Sequence, residues 1–294
     1  DNTISDRGEG GDADLGTDYI DLAFTVTDSI TVAEANTLTA AVDGVVTATI
    51  SDTDMATLID DVTDDTLGLA PTEAVHDLTI TVDDDDITAN DLAELTTRTI
   101  GTITVDSSSN LTGDFGDDAA NLIAVLGDDD ISGISTVSAD DSPTVAEVNA
   151  ITEVTTAIVT ATVADQDTDT LSGLTGTGNA LTIEVATTAE GGAATVDAAA
   201  VNTIDEKTTV AVAVTATTIT GALGDITTLY AANTDGTVSG LGDEAVTVAD
   251  TGSVAASSLN DLNRLTSGVV TLTGVTAITG TLSEISDAYA ANTA

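Results

Sequence analysis

The sequence predicts an α/β repeat solenoid, built from short helix-plus-strand coils of about 28 residues whose strands stack in parallel. The first observation is a long repeat: TVAEANTLTAAVDGVVTATISDTD (31–54) returns without a gap as TVAEVNAITEVTTAIVTATVADQD (144–167). The others are Ala-rich helical phrases at regular spacing and Thr-rich alternating segments between them. A unit this small cannot bury its own apolar face, so it must stack on its neighbours.

Two sets of phrases are predicted to be short helices. The first set has a Thr, Ser or Asp cap before Ala-rich sequence, and it comprises TVAEAN at 31, ITANDLAEL at 87, TVAEVNAI at 144, TVDAAAVNTI at 195 and SVAASSLNDL at 253. The second set lies between these, and it comprises DMATLIDD at 54, DDAANLIAVL at 117, TDTLSGL at 168, LGDITTLYAAN at 223 and LSEISDAYAAN at 282. Alternating runs such as TVAVAVTATTITG follow the phrases and predict strands.

Certain residues recur at one position of the phrases. Four first-set helices carry an asparagine at the same place: Asn36, Asn149, Asn202 and Asn260. We expect their amides to bond the backbone of neighbouring turns. Tyr230 and Tyr289 are also equivalent, and we expect them, like Phe24 and Phe115, to close layers of the core.

The repeat also predicts the domain organisation. It gives an acidic, Gly-rich segment with a strand at 1–29, which is a candidate connector between subunits. A first long repeat follows at 30–143, a second at 144–252 and a partial third at 253–294.

Two other architectures remain open at this point. Tandem immunoglobulin-like β-sandwiches suit a period of about 113 residues with Thr-rich strands, but they lack Ala-rich helical phrases. A doubly wound sheet suits the helix-strand alternation, but no GxGxxG phosphate turn follows a strand.

The composition limits the partners. Lys and Arg total 4 against 51 Asp and Glu, for a formal net charge of -47 that repels phosphate, so nucleic acid is excluded as a partner. Such charge destabilises a compact chain unless cations screen it. Disorder is disfavoured because 41% of the residues are apolar and periodic. No apolar run is long enough to span a bilayer, so we expect no membrane insertion.

Calcium is the predicted cofactor because carboxylates recur at alternate residues, as they do in calcium loops. The candidate ligands are Asp165, Asp167 and Asp169 in DQDTD, their counterparts Asp52 and Asp54 in the first repeat, and Asp12 and Asp14 in GEGGDAD. The pattern lacks the Gly and Glu of an EF-hand. Solvated turns are the alternative interpretation of each cluster.

No catalytic residues are predicted, and we do not expect an enzyme. The single histidine, His76, lies in a loop before DLTITV without a GxSxG turn, and we expect it to be solvated. Aromatic platforms for sugars are nearly missing, since the chain has no Trp, 3 Tyr and 2 Phe.

The phrases TVAEAN, TTITGALGDITTLYAAN and GTVSGLGDEAVTVADTGSVAASSLNDL resemble the tandem repeats of very large secreted or cell-surface proteins of aquatic bacteria, cyanobacteria especially. The resemblance covers nearly the whole chain from Ala23 and implies an extracellular or cell-surface location, calcium-rich surroundings and a structural or adhesive role.

Two functions fit this reading. The first is a structural subunit or segment of an extracellular fibre, sheath or surface layer, assembled head to tail. The alternative is a calcium-dependent adhesin or glycan-binding module. Glycans are also candidate modifications, because NLT at Asn110 is an N-linked sequon. Head-to-tail assembly is expected because DLAFTVTDS (21–29) echoes EAVTVADTGS (244–253), so the start of one copy would continue the end of another.

Overall fold

A computed structural model describes residues 23–42, 44–59, 68–69, 76–186 and 195–291. The chain divides into two compact units. The first unit contains the described residues up to Leu111 together with Ala124–Ile134, and the second contains Thr112–Ile123 together with the described residues from Ser135. Asp12 and Asp14 lie outside the described residues. The predicted repeat boundaries stay predictions.

Within the described residues the chain forms ten helices, one on each predicted phrase. They are α1 (Val32–Thr39), α2 (Met55–Leu58), α3 (Ala89–Thr96), α4 (Ala119–Leu126), α5 (Val145–Val154), α6 (Thr168–Leu171), α7 (Ala198–Asp205), α8 (Leu223–Asp235), α9 (Ala256–Asn263) and α10 (Leu282–Ala291). Thr31 and Thr144 begin α1 and α5 with full capping boxes, each closed by a glutamate three residues later. The expected cap at Ser253 is wrong, because Ala255 precedes α9 and offers no side-chain acceptor.

Short strands lie between the helices. They are β1 (Phe24–Ile30), β2 (Val46–Ile50), β3 (Asp77–Val82), β4 (Asp86–Thr88), β5 (Ile103–Val105), β6 (Asn110–Gly113), β7 (Ile131–Ser132), β8 (Thr136–Ala139), β9 (Ile158–Thr162), β10 (Ala180–Thr182), β11 (Glu184–Ala186), β12 (Thr195–Asp197), β13 (Val212–Thr215), β14 (Thr218–Gly221), β15 (Val238–Ser239), β16 (Ala245–Val248), β17 (Gly252–Ala255), β18 (Val270–Leu272) and β19 (Val275–Thr279).

The strands form several parallel sheets. The first unit holds the sheet β1-β2-β3-β5-β7. In the second unit β8, β9 and β10 lie side by side, and three further sheets have the orders β11-β13-β15, β12-β14-β16-β18 and β17-β19. All strand pairs registered in the described residues are parallel, so the alternative of antiparallel immunoglobulin-like sandwiches is wrong.

Residues that pair across neighbouring strands are separated by similar numbers of residues along the chain. Paired positions lie 20 residues apart for Ile30 and Ile50 and 30 residues apart for Thr47 and Asp77, with the other pairs between these limits. A parallel pair needs a crossover, and here a short helix or turn supplies it. We use "segment" below for the stretch between two paired positions.

The core of each unit consists of small and branched side chains. In β2, Val46, Ala48 and Ile50 are buried while the threonines between them face outward, as the alternation predicts. Phe115 is fully buried, as expected, whereas Phe24 is half-exposed. Close packing of successive segments requires glycine: at Gly133, with φ of +93°, a Cβ would lie 1.8 Å from the carbonyl oxygen of Val105.

Candidate functional site: contacts between successive segments

The four equivalent asparagines bond the next segment, as predicted. Each Nδ2 donates to a backbone carbonyl 23 to 32 residues later in the chain: Asn36 to Gly68 at 2.7 Å, Asn149 to Gly173 at 2.8 Å, Asn202 to Asp225 at 3.0 Å and Asn260 to Glu284 at 2.9 Å. The recurring asparagine therefore fastens a helix of one segment to the backbone of the following segment.

A second set of contacts joins the start of a helix to an aspartate of the following segment. The capping aspartates are Asp52, which accepts from the Val32 N–H at 2.7 Å, Asp84 from Met55 at 2.7 Å, Asp165 from Val145 at 2.7 Å and Asp250 from Leu223 at 2.6 Å. Asp141 makes a related contact, at 3.1 Å, with the N–H of Phe115 in the turn before α4. The first N–H groups of a helix have no partner within the helix, and the positive end of the helix dipole favours a carboxylate. Each capping aspartate follows its strand by two or three residues.

The alternate-residue aspartates predicted as calcium ligands take part in this capping. Asp52 and Asp165 are capping aspartates, whereas Asp54 and Asp167 are the N-cap residues of their own helices. Asp167 accepts from the Thr170 N–H at 2.8 Å, and backbone and side-chain hydrogen bonds from Thr170 hold its pKa below the ordinary value. In each pair, the first aspartate (Asp52 or Asp165) caps the helix before it in the chain. The second (Asp54 or Asp167) is the N-cap of the next helix.

These contacts do not decide whether calcium binds. Among the described residues, no three carboxylate or imidazole side chains converge as a metal centre would require. Asp169 is exposed in the first turn of α6. The carboxylates retain free lone pairs after capping, and calcium binding at Asp52, Asp54, Asp165, Asp167 and Asp169 stays a prediction.

His76 is not the solvated loop residue that the sequence suggested. It is 1% exposed, and its Nδ1 accepts a hydrogen bond of 3.1 Å from the Val46 N–H at the start of β2. Burial lowers the pKa of the imidazole from its ordinary value of 6.5, which keeps Nδ1 free to accept. The ring is thus a fixed acceptor in the sheet.

The residue directly before a strand also has a polar side chain in the second unit. Asn179 precedes β10 as His76 precedes β3, and its Oδ1 accepts from the Val159 N–H at 3.0 Å. A threonine of the next segment bonds the strand that follows each of these residues: Thr99 Oγ1 donates to the Leu78 carbonyl at 2.8 Å, and Thr208 Oγ1 to the Leu181 carbonyl at 2.6 Å. Sequence reasoning missed this set, although the polar residue just before each strand was its signal.

Glu244 occupies the corresponding place before β16 and is 2% exposed. Its carboxylate accepts from the Tyr230 hydroxyl at 2.9 Å and from the Gly242 N–H, while Thr266 donates to its backbone carbonyl at 2.7 Å. Burial, and then the neighbouring carboxylate, raise the pKa of Tyr230 above its ordinary value. Tyr230 is buried in the core, as expected. The same expectation for Tyr289 is wrong, because 66% of that residue is exposed.

Two arginines in the described part of the chain form ion pairs with nearby carboxylates. Arg98 is buried and binds the Leu69 carbonyl and the Glu94 carboxylate. Arg264 pairs with Asp261 at 3.1 Å on the surface. With 51 acidic residues in the chain, these pairs leave most of the negative charge uncompensated.

The second unit carries a groove of about 780 Å³ beside β18 and α10, and its lining mixes polar side chains such as Asn260, Asn263 and Ser267 with apolar ones. Its lining includes Leu259, Val269, Leu272, Ile278 and Tyr289. Leu282, at the start of α10, is 87% exposed. No acidic, basic or histidine side chain is among the described residues that line the groove.

Comparisons with protein families, curated proteins and solved structures found no match to this chain. In the described part of the chain, none of the helices combines the length and the apolar character needed to cross a bilayer. A function for the chain is therefore argued from its sequence and from the contacts given above.

Proposed function

We propose that the chain is a structural segment of an extracellular fibre, sheath or surface layer. The observation that carries this proposal is the recurrence of equivalent side chains at the contacts between successive segments. The capping aspartates and the asparagines are used to hold backbone, and the single histidine is used as a buried acceptor. Hydrogen bonds of this kind between successive segments would resist their separation when the chain is under tension.

The finer architecture belongs to the same proposal: the segments are coils of a solenoid. Parallel pairing at spacings of 20 to 30 residues supports it, as do side-chain bonds that each reach one segment onward. In a solenoid each coil contacts its neighbours alone, so a whole coil is removable while part of a coil is not.

Internal deletion tests the solenoid. Thr218 pairs with Ala245, so deleting 218–244 removes one coil and joins positions of equal register. We expect this variant to keep the helical circular dichroism per residue and cooperative unfolding. The matched control deletes 218–231, which shifts the register, and it should unfold. If both deletions were equally damaging, the coils would not be equivalent and the solenoid would be wrong.

An extracellular location and calcium complete the proposal. The resemblance to large surface proteins supports the location, and the net charge of -47 supports a need for cations. Electron microscopy of the protein in calcium and salt is the direct functional test, and we expect filaments or sheets. A protein that stayed monomeric under all such conditions and bound a glycan would favour the adhesin alternative.

A further inference from the structure

The outward face of the sheet in the first unit carries hydroxyl side chains side by side on neighbouring strands. Residues between them in the sequence, such as Ala48, Ile80 and Ile103, are buried, so the hydroxyl-bearing residues point away from the core. We call this set the hydroxyl array. By the strand registers it consists of a row of Thr49, Thr79 and Thr102 and a row of Thr81, Thr104 and Ser132.

The same pairing recurs in the second unit. There Ser138 lies beside Thr160, and Thr162 lies beside Thr182, again on the outward face of the sheet. Paired hydroxyl side chains are therefore a repeated property of the outward strand positions, and the first unit holds the larger set.

The hydroxyls of the array are not used inside the molecule. Thr99, Thr208 and Thr266 donate to the backbone carbonyls of neighbouring segments and so hold the fold. Within the described residues the threonines of the array make no such bond, and their hydroxyls face the solvent. The array is thus free to bind a partner outside the chain.

The array is also nearly free of charge. The chain has 51 acidic residues, yet Asp77, at the start of β3, is the one carboxylate among the outward positions of β2, β3, β5 and β7. Carboxylates lie instead in the turns beyond the strands, as Asp52 and Asp84 do. Depletion of charge at the centre of a surface is typical of binding surfaces, and here it favours an uncharged partner.

The spacing of the array is regular in two directions. Neighbouring strands lie about 4.8 Å apart, and alternate residues along a strand lie about 6.6 Å apart. Threonine is β-branched and stiff at χ1, so its hydroxyl and methyl groups keep this spacing without a large loss of side-chain entropy. A fixed array on an open face suits a partner that is itself an extended, regular solid.

We propose that the hydroxyl array binds the surface of ice. Ice is uncharged, and along one axis its equivalent oxygens repeat within about half an ångström of the strand spacing. Hydroxyls on this repeat bond lattice water, and the methyl groups beside them fit the gaps between water molecules. A crystalline polysaccharide is the less suitable solid, because the array has no aromatic side chain on which a sugar ring could stack. This binding goes beyond the structural function proposed above.

Slow growth of ice from a solution of the protein tests the proposal. A growing crystal excludes solutes that do not bind it, so the measurement is the protein content of the ice compared with that of a non-binding globular protein in the same solution. We expect the native chain to be enriched in the ice and to lower the freezing point below the melting point. A native chain that ice excludes would overturn the proposal. Retention on crystalline cellulose or chitin, with exclusion from ice, would identify a polysaccharide as the partner and would also overturn it.

Two variants place the binding on the array. Thr81→Tyr and Thr104→Tyr put a bulky ring on exposed strand positions where tyrosine is well tolerated, so the fold should persist and most of the uptake into ice should be lost. Thr37→Tyr is the matched control, since Thr37 is exposed on α1 outside the array, and it should keep the native uptake. Circular dichroism and the thermal midpoint verify the fold of each variant. Native uptake by both array variants, or an equal loss in Thr37→Tyr, would refute binding through the array.

The outcome is separable from that of the proposed function. Filament formation and the coil deletion depend on contacts between segments, and neither involves the outward threonines of β3 and β5. A chain that forms filaments but is excluded from ice would leave the structural function standing and remove only this inference.

Discussion

At the scale of single residues, His76 and Asn179 perform the same task with different chemistry. Histidine Nδ1 and asparagine Oδ1 are equally far along the side chain, and each accepts an N–H from the first two residues of a neighbouring strand. His76→Asn should therefore change the free energy of unfolding by less than about 1 kcal/mol. His76→Ala should cost about 1–3 kcal/mol, because it leaves the buried Val46 N–H unpaired. Thermal unfolding at pH 8 measures both, and equal losses for the two variants would contradict the acceptor role.

The same histidine predicts a pH dependence. Burial lowers the folded pKa of His76 below 6.5, so between the two values the unfolded chain binds a proton that the folded chain does not. Stability is therefore complete above pH 6.5 and falls as the pH drops through this window. His76→Asn should lose less stability than the native chain between pH 7 and pH 5. Parallel curves for the two proteins would show that the imidazole does not titrate in this way.

Tyr230 and Tyr289 offer a matched pair for a third prediction. Tyr230→Phe removes a donor from the buried carboxylate of Glu244 and should cost about 1–3 kcal/mol. Tyr289→Phe changes an exposed ring and should have almost no effect on the isolated chain. Urea unfolding followed by circular dichroism distinguishes them. A Tyr230→Phe variant as stable as Tyr289→Phe would mean that the hydroxyl contributes little to Glu244.

At the scale of elements, the capping aspartates separate capping from calcium binding. Asp165→Asn keeps an oxygen that accepts the Val145 N–H, so it should cost only a few tenths of a kcal/mol, while Asp165→Ala should cost about 1 kcal/mol. These costs should be the same with calcium and with a chelator if Asp165 is only a cap. A loss in Asp165→Asn that appears only in the presence of calcium would make Asp165 a ligand.

Local patterns made the helices predictable. Thr31 and Thr144, each followed by a glutamate three residues later, mark helix starts that need no tertiary information. The contacts between segments were only partly accessible. The asparagines were found because they recur at one position, but Asp52 and Asp54 share their alternate spacing with calcium loops, and only the fold shows that they cap two helices. The burial of His76 depends on the segment packed over it, so its own loop suggested a solvated ring.

At the scale of the whole molecule, charge governs stability. A net charge of -47 opposes folding through self-repulsion, so the thermal midpoint should rise as sodium chloride increases from low concentration. Calcium should raise it further at equal ionic strength, and magnesium should replace calcium poorly. Differential scanning calorimetry with and without a chelator tests this. If equal ionic strengths of sodium and calcium gave the same midpoint, the cations would act by screening alone.

The capping aspartates also impose an order of events in time. Each one lies 20 to 29 residues after the helix start that it caps, so a helix is complete only when the following strand has arrived. A chain that emerges N-terminus first from a ribosome or an export channel would fold one segment behind its own exit. Each newly emerged segment that carries a capping aspartate would hold the helix before it and hinder backward sliding. Folding outside the channel would then act as a ratchet that draws the remaining chain outward.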